Sequence, residues 1–448
     1  MLRYFAFVFL AALICGTPAA RGAAGRPFVL LISVDGLKPE AITDAAAHGL
    51  KVPNLRAFMR DGMYANTVRG VLPTLTYPSH TTLVTGASPA KHGIYDNLTF
   101  DPFDRNDKGW YWYAEDIRVP TLWDAAAAAH LTTGNIYWPV TVGAPITYNL
   151  PQIWRTATED DLKLQRALST PGLEQELSAV LGRYPGGEEE TVSEDEVRTR
   201  FALRLLDTKH PDLLAVYLSG LDTEEHKSGP FSGDSNAVLE RLDTLVGTLR
   251  AAAEKAAPGR ATICVVSDHG FAAIQHDVNL YAAFREAGLL RLDDAGKVTG
   301  WQAVPWPAGG SAAIMLADPA DAAVRTRVKT LLDKLAGDPA NGIDRIIGSD
   351  ELHVQGGFPD AAFLVALRIG YEMSGSYSMP LVTKPANLGM HGFLPSNPEM
   401  RSSFFMVGPR AAKGRALGEI DMRQIAPTLA EVLHLKLQGA ELGALPLK

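Results

Sequence analysis

Cysteine is scarce in this 448-residue chain, with two in all, and that excludes a disulfide-built scaffold. Basic charge is also short: 42 Lys and Arg against 50 Asp and Glu give a formal net charge of −8. Such a balance offers no broad cationic face for nucleic acid, so any nucleotide chemistry has to come from a local site. After the first two dozen residues no apolar run reaches the roughly 20 residues a membrane-spanning helix needs. No GxxxxGK[ST] or GxGxxG follows a β-rich run, which disfavours P-loop and nicotinamide enzymes. Internal repeats are absent. What is there is ordinary globular composition, 46% hydrophobic and 21% charged, on a chain long enough for one large core or two modest ones.

Residues 1–24 read as a secretory signal peptide. Arg3 supplies a basic start, Tyr4 to Cys15 is nearly unbroken apolar sequence, and small residues follow, with cleavage expected near Ala20 or Ala24. Cys15 would leave with it, so Cys264 would stand alone and no internal disulfide could form. An exported chain without disulfides suits a bacterial periplasm or cell exterior. The mature chain, 25–448, is expected to have no membrane span, and nothing in the sequence specifies an oligomer.

Three apolar, β-rich runs have the pattern of strands buried on both faces: Phe28 to Val34, Leu213 to Leu218 and Thr262 to Ser267. Helical stretches lie between them, at Thr121 to His130, Val192 to Leu206, Ala237 to Ala256 and Val324 to Leu335. Alternation of this kind predicts an α/β fold with a doubly wound, mixed or parallel sheet flanked by helices. Between about 275 and 385 the pattern is less like a sheet core and predicts a smaller inserted subdomain. Arg183 to Glu190 (RYPGGEEE) and Val304 to Gly310 (VPWPAGG) read as linkers.

An acid follows each of the three strands: Asp35, Asp222 and Asp268. Open α/β sheets bind ligands at that end of their strands. One such Asp is most simply a cap or turn residue; three, with His226 four residues after Asp222 and His269 beside Asp268, call for more than caps. His391, between glycines in GMHGF, completes a set of three carboxylates and three imidazoles that suits borderline divalent metals such as Zn²⁺. The other histidines read as surface or core residues. In PTLTYPSH, with Pro73 and Pro78 as breakers, a hydroxyl at a helix N-terminus is well placed to meet a phosphoryl oxygen. A hydroxyl in that position needs a base or a metal before it becomes a nucleophile.

Taken in order, VDG at Asp35, PTLTYPSH at Thr76, TGASPAKHGIYDN, Asp222-x-x-x-His226, SDHGF, MHGF and the terminal IAPTLAEVL resemble the alkaline phosphatase superfamily. More narrowly, the set resembles the type I phosphodiesterase/nucleotide pyrophosphatase family. The resemblance implies that Asp35, Thr76, Asp268 and His269 hold one zinc, with Thr76 the nucleophile, and that Asp222, His226 and His391 hold a second. It implies that Asn97 contacts a phosphoryl oxygen and that Tyr77, Tyr217 and Trp138, with Trp154 as a weaker candidate, surround a nucleotide base. Ser79 departs from the family's usual asparagine, and the Asp222–His226 interval lacks the usual small residues; Glu224 and Glu225 there read as solvent-facing.

The activity so implied is hydrolysis of a small-molecule phosphodiester or nucleotide through a covalent phosphothreonine. A phosphomonoesterase or phosphonate hydrolase of the same superfamily is the alternative, and a non-catalytic metal- or phosphate-binding export protein a second. A sulfatase is excluded, because neither Cys264 nor Thr76 lies in a C/S-x-P-x-R context. Monoesterases add a cation for the extra phosphate charge. No Lys or Arg lies between Gly70 and Ala90, which leaves Lys91 or Arg155 to fold into range.

Overall fold

The computed structural model describes residues 25–106, 109–155, 158–186 and 190–447. The expected signal peptide lies outside them. At the centre is an eight-stranded mixed sheet flanked by helices. Its order is Arg415–Ala416, Met63–Tyr64, Phe404–Val407, Ala261–Val266, Phe28–Val34, Leu213–Leu218, Thr133–Ile136 and Tyr148–Leu150. The three apolar runs singled out in the sequence are its neighbouring middle strands, parallel to one another and buried along their whole length. Such strands need apolar side chains on both faces, which is why they read as continuous runs. Val34 lies opposite Leu218 and Ser33 opposite Val266, so the three carboxyl ends open at one edge of the sheet. Helices Val192–Lys209 and Gly233–Ala256 are the crossovers that keep these strands parallel. Phe404–Val407 runs antiparallel and makes the sheet mixed.

A second, antiparallel sheet follows later in the chain, in the order Ala303–Pro307, Ser311–Leu316, Phe363–Leu367 and Ile343–Gly348. Helix Ala322–Ala336 packs on it, and Val304, Ile314, Val328, Leu332 and Val365 belong to an apolar cluster separate from that of the main sheet. The segment expected to be a linker at Val304 to Gly310 is therefore an edge strand and its turn. Pro305 and Pro307 lack a donor N–H, and an edge strand tolerates that. Strand Ala272–Val278, which leaves the main sheet's edge just after His269, pairs with Gly370–Met373, Val382–Thr383 and Gly389–Met390. That pairing brings His391 back to the strand ends.

Candidate active site

Asp35 follows Val34 directly, Asp268 lies two residues past Val266, and Asp222 and His226 share one side of helix Gly220–Ser228. Asp35, Asp268 and His269 each bring one ligand atom within 4.8 Å of the others, and so do Asp222, His226 and His391. In the first group His269 Nε2 lies 3.4 Å from Asp35 Oδ1 and 3.2 Å from Asp268 Oδ2. In the second, Asp222 Oδ2 is 3.5 Å from His226 Nε2 and Asp222 Oδ1 is 3.6 Å from His391 Nε2. The rings of His269 and His391 stack 3.6 Å apart, so the groups adjoin.

The hydrogen bonding fits bound cations. Nδ1 of His226, His391 and His269 meets the carbonyls of Gly389 at 2.9 Å, Thr74 at 3.1 Å and Gly270 at 3.2 Å. A carbonyl only accepts, so each Nδ1 carries the proton and each Nε2 turns a lone pair toward the acids. Asp35 Oδ1, Asp222 Oδ1 and Asp268 Oδ2 are buried without a hydrogen-bond partner among the described residues. Burial is the first cause of raised carboxyl pKa values at Asp35, Asp222 and Asp268, and mutual repulsion adds to it at Asp35 and Asp268. Burial likewise pushes His269 well below its usual value and His391 down to about 3. Imidazoles kept neutral and carboxylates lacking a counter-charge make a donor set for divalent metal.

Thr76 opens a ten-residue helix, Thr76–Thr85, that is buried throughout although it is rich in polar side chains. The helix satisfies some of them itself: Thr81 and Thr85 hydroxyls donate to carbonyls one turn back, of Tyr77 and Thr81, each at 2.8 Å. Pro78, expected to break the chain, sits in the first turn, where a missing N–H costs nothing. Thr76 Oγ1 is 3.4 Å from His269 Nε2. Asn97 Oδ1 accepts the Tyr77 N–H at 2.9 Å, which leaves its amide donors for the cavity it lines.

His391 is held from the second sheet. The Gly309–Gly310 turn touches its backbone, with Gly310 N–H donating to the His391 carbonyl at 2.8 Å. A Cβ on Gly309, at φ +66°, would stand 2.4 Å from that carbonyl, and one on Gly310 would stand 2.4 Å from the Phe393 ring.

A cavity of about 350 Å³ opens on Thr76 and both groups. Its organic side is Tyr77, Trp110 and Trp154, with the two indoles stacked 4.9 Å apart and Tyr77 5.2 Å from Trp110. Tyr217 also lines it, but its hydroxyl donates to Asp35 Oδ2 and its ring lies against His80 and Tyr137. Trp138 does not line it. That side chain turns inward against His80 and Trp123 and is fully buried. The sequence reading missed Trp110, Gln152 and Glu190, all in the cavity wall. Among the described lining residues there is no Lys or Arg: Arg155 pairs with Asp161, and Lys91 lines another cleft. Glu225, expected in solvent, is buried, and its carboxyl is raised by that burial. A larger cleft of about 810 Å³ runs past Arg69, Lys91, Arg345 and Arg423, but none of the candidate ligands reaches it.

Three kinds of likeness bear on this site. Human ectonucleotide pyrophosphatase/phosphodiesterase family member 1 is 28% identical over 255 residues, which is 54% of this chain and 23% of that protein. Venom phosphodiesterase 2 of Crotalus adamanteus is 27% identical over 57% of this chain and 28% of its own length. The chain thus spans about a quarter of these relatives. An uncharacterized pyrophosphatase/phosphodiesterase of Schizosaccharomyces pombe is 25% identical over 433 residues, covering 94% of this chain and 80% of that one. Among solved structures, murine ectonucleotide pyrophosphatase/phosphodiesterase 5, in an inactive form with AMP, shares the fold. Its TM-score is 0.65 at 19% identity, over 92% of this chain and 96% of that one. The model of type I phosphodiesterase/nucleotide pyrophosphatase matches residues 29–394, from the first central strand to just past His391, and the chain belongs to that family.

Proposed function

We propose that the protein is an exported two-metal hydrolase of phosphate diesters, of the nucleotide pyrophosphatase kind, with Thr76 as its nucleophile. The observation that carries this reading is the position of Thr76 Oγ1, at a helix N-terminus, 3.4 Å from a donor atom of one group and in the same cavity as the other. Asp35, Asp268, His269 and Thr76 would hold one divalent cation. Asp222, His226 and His391 would hold the second, and three protein donors leave a position for substrate. Zinc fits this nitrogen and carboxylate set. Bound there, the cations would lower the pKa of the Thr76 hydroxyl and balance charge on the phosphoryl oxygens.

The remaining work falls to the chain. Thr76 Oγ1 attacks phosphorus in line: its O–P bond forms as the P–O bond to the leaving group breaks, and the hydroxyl proton passes to solvent. Water then cleaves the esterified threonine from the opposite side. The first N–H of the helix and the Asn97 amide are placed to donate to a non-bridging oxygen. Tyr77, Trp110 and Trp154 offer flat faces to an organic substituent such as a base.

Diesters are favoured over monoesters because no Lys or Arg among the described residues lines the cavity to neutralise a second phosphate charge. Thr76 and all six candidate ligands being in place speaks against a protein that binds without turnover. Export is supported by the names of the ectonucleotide and venom relatives. No helix among the described residues is long and apolar enough to cross a membrane.

The test is kcat/KM of metal-replete protein on the p-nitrophenyl ester of a nucleoside monophosphate against p-nitrophenyl phosphate. A diester preference of about a hundredfold or more is expected. A monoester preference would move the assignment to a phosphatase.

A further inference from the structure

Glu190 belongs to the acidic loop that the sequence marks as a linker, yet the structure turns its carboxylate into the wall of the catalytic cavity. It shares that cavity with Asp222, Thr76, Gln152 and Trp154. Glu190 Oε1 accepts hydrogen bonds from the Tyr137 hydroxyl and from Gln152 Nε2, both at 2.8 Å. Burial raises the Glu190 carboxyl, while these donors and the nearby Arg198 charge favour its ionised form. Behind it, the Arg198 guanidinium lies 3.6 Å over the Tyr137 ring and pairs with Asp195 at 3.1 Å, so positive charge backs the wall without entering the cavity. Tyr137 holds this place at φ +71°, in the left-handed region that a bulky residue adopts only when its surroundings force it. The carboxylate is thus held in place by two side-chain donors. It is not one of the candidate metal ligands.

We propose that Glu190 is a specificity-determining residue: a fixed negative charge in the cavity wall that selects phosphate diesters over phosphate monoesters. This rests on the reading of the site as a phosphodiesterase. A diester brings one negative charge to the cavity and a monoester brings two near neutral pH. A carboxylate facing the phosphoryl group penalises the second charge, and a partly desolvated setting strengthens that penalty. The lack of Lys and Arg among the described wall residues removes an attraction for the dianion; Glu190 adds a repulsion, and specificity commonly combines the two.

The experiment compares kcat/KM for a p-nitrophenyl diester and p-nitrophenyl phosphate in the wild type, Glu190→Gln and Glu190→Asp, with thermal melting to confirm folding. Glu190→Gln is expected to shrink the diester-to-monoester ratio by about tenfold, chiefly through faster monoester turnover and tighter competitive inhibition by inorganic phosphate. Glu190→Asp keeps the charge and is expected to keep the ratio within about threefold. A ratio unchanged in Glu190→Gln, or shifted alike in both variants, overturns the proposal. If Glu190→Gln does not fold, the wild type decides by ionic strength. Screening should raise monoester kcat/KM relative to diester, and a ratio that stays fixed or moves the other way overturns the proposal. A wild type inactive on both esters would instead refute the underlying phosphodiesterase reading.

Discussion

The group formed by Asp35, Asp268 and His269 is wholly buried, whereas the one formed by Asp222, His226 and His391 is partly open toward the cavity. The first is built by the central sheet alone. Its two acids follow adjacent parallel strands, with Asp268 Oδ1 accepting the Gly36 N–H at 3.2 Å and Tyr217 donating to Asp35. The second is assembled from three places: a helix, the Gly389–Met390 strand, and the Gly309–Gly310 turn that buttresses His391 from the second sheet. A closed site made by one rigid element suits a cation that stays put and holds the nucleophile. An open site made at the meeting of two sheets suits a cation that must meet substrate and release product. The second sheet therefore bears on the chemistry through one histidine.

The largest effects should come from the proposed ligands themselves. Asp268→Asn and Asp222→Asn are each expected to lower kcat/KM by about 10³-fold or more, yet to differ in metal content. Asp268→Asn should lose the tightly held ion and with it thermal stability, while Asp222→Asn should keep one ion per chain and much of its melting temperature. Metal analysis after dialysis against a chelator reads the difference, and equal losses from both variants would erase the distinction drawn here.

Gly310→Ala comes next. Its Cβ would meet the Phe393 ring at 2.4 Å, so the turn must shift, at a cost of about 1–3 kcal/mol. Thermal melting and metal titration are expected to show a destabilised protein in which only the more weakly held ion has lost affinity. Tyr217→Phe makes the converse change. It removes the hydroxyl that orients Asp35 and is expected to weaken only the tighter site, by about tenfold. Isothermal titration of the metal-free protein checks both, and either variant affecting the other site would show that the two groups are not separable.

Much of this was legible in the sequence because buried parallel strands carry an unbroken apolar signature and the acids come directly after them. Asp35, Asp222, Asp268 and their histidines needed only that reading and the order of the motifs. The helix of the proposed nucleophile was less plain. Thr, Ser and His crowd it, and only the structure shows that its threonines bond backbone carbonyls and that the helix is wholly buried. Val304 to Gly310 looked like a linker because proline and glycine signal a break, whereas an edge strand hides the missing donor of proline and a tight turn needs the glycines. Acids were the hardest to place. Glu225 lies next to a candidate ligand and is buried, and Glu190 sits in a run of charge that by default faces solvent. Nothing local tells the wall-forming glutamate from its neighbours; Tyr137 and Gln152, which hold it, come from distant parts of the chain. Trp138 and Trp110 are a similar pair, one turned into the core and one into the cavity by tertiary packing alone.

If Thr76 is the nucleophile, it becomes esterified during turnover. Acid quenching of the protein while it hydrolyses a phosphorus-labelled diester, followed by peptide mapping, tests it directly. Label is expected on the peptide containing Thr76 and none in Thr76→Ala, which should also be inactive. Sustained turnover with no label at Thr76, or a Thr76→Ala variant that keeps the wild-type rate, would contradict it.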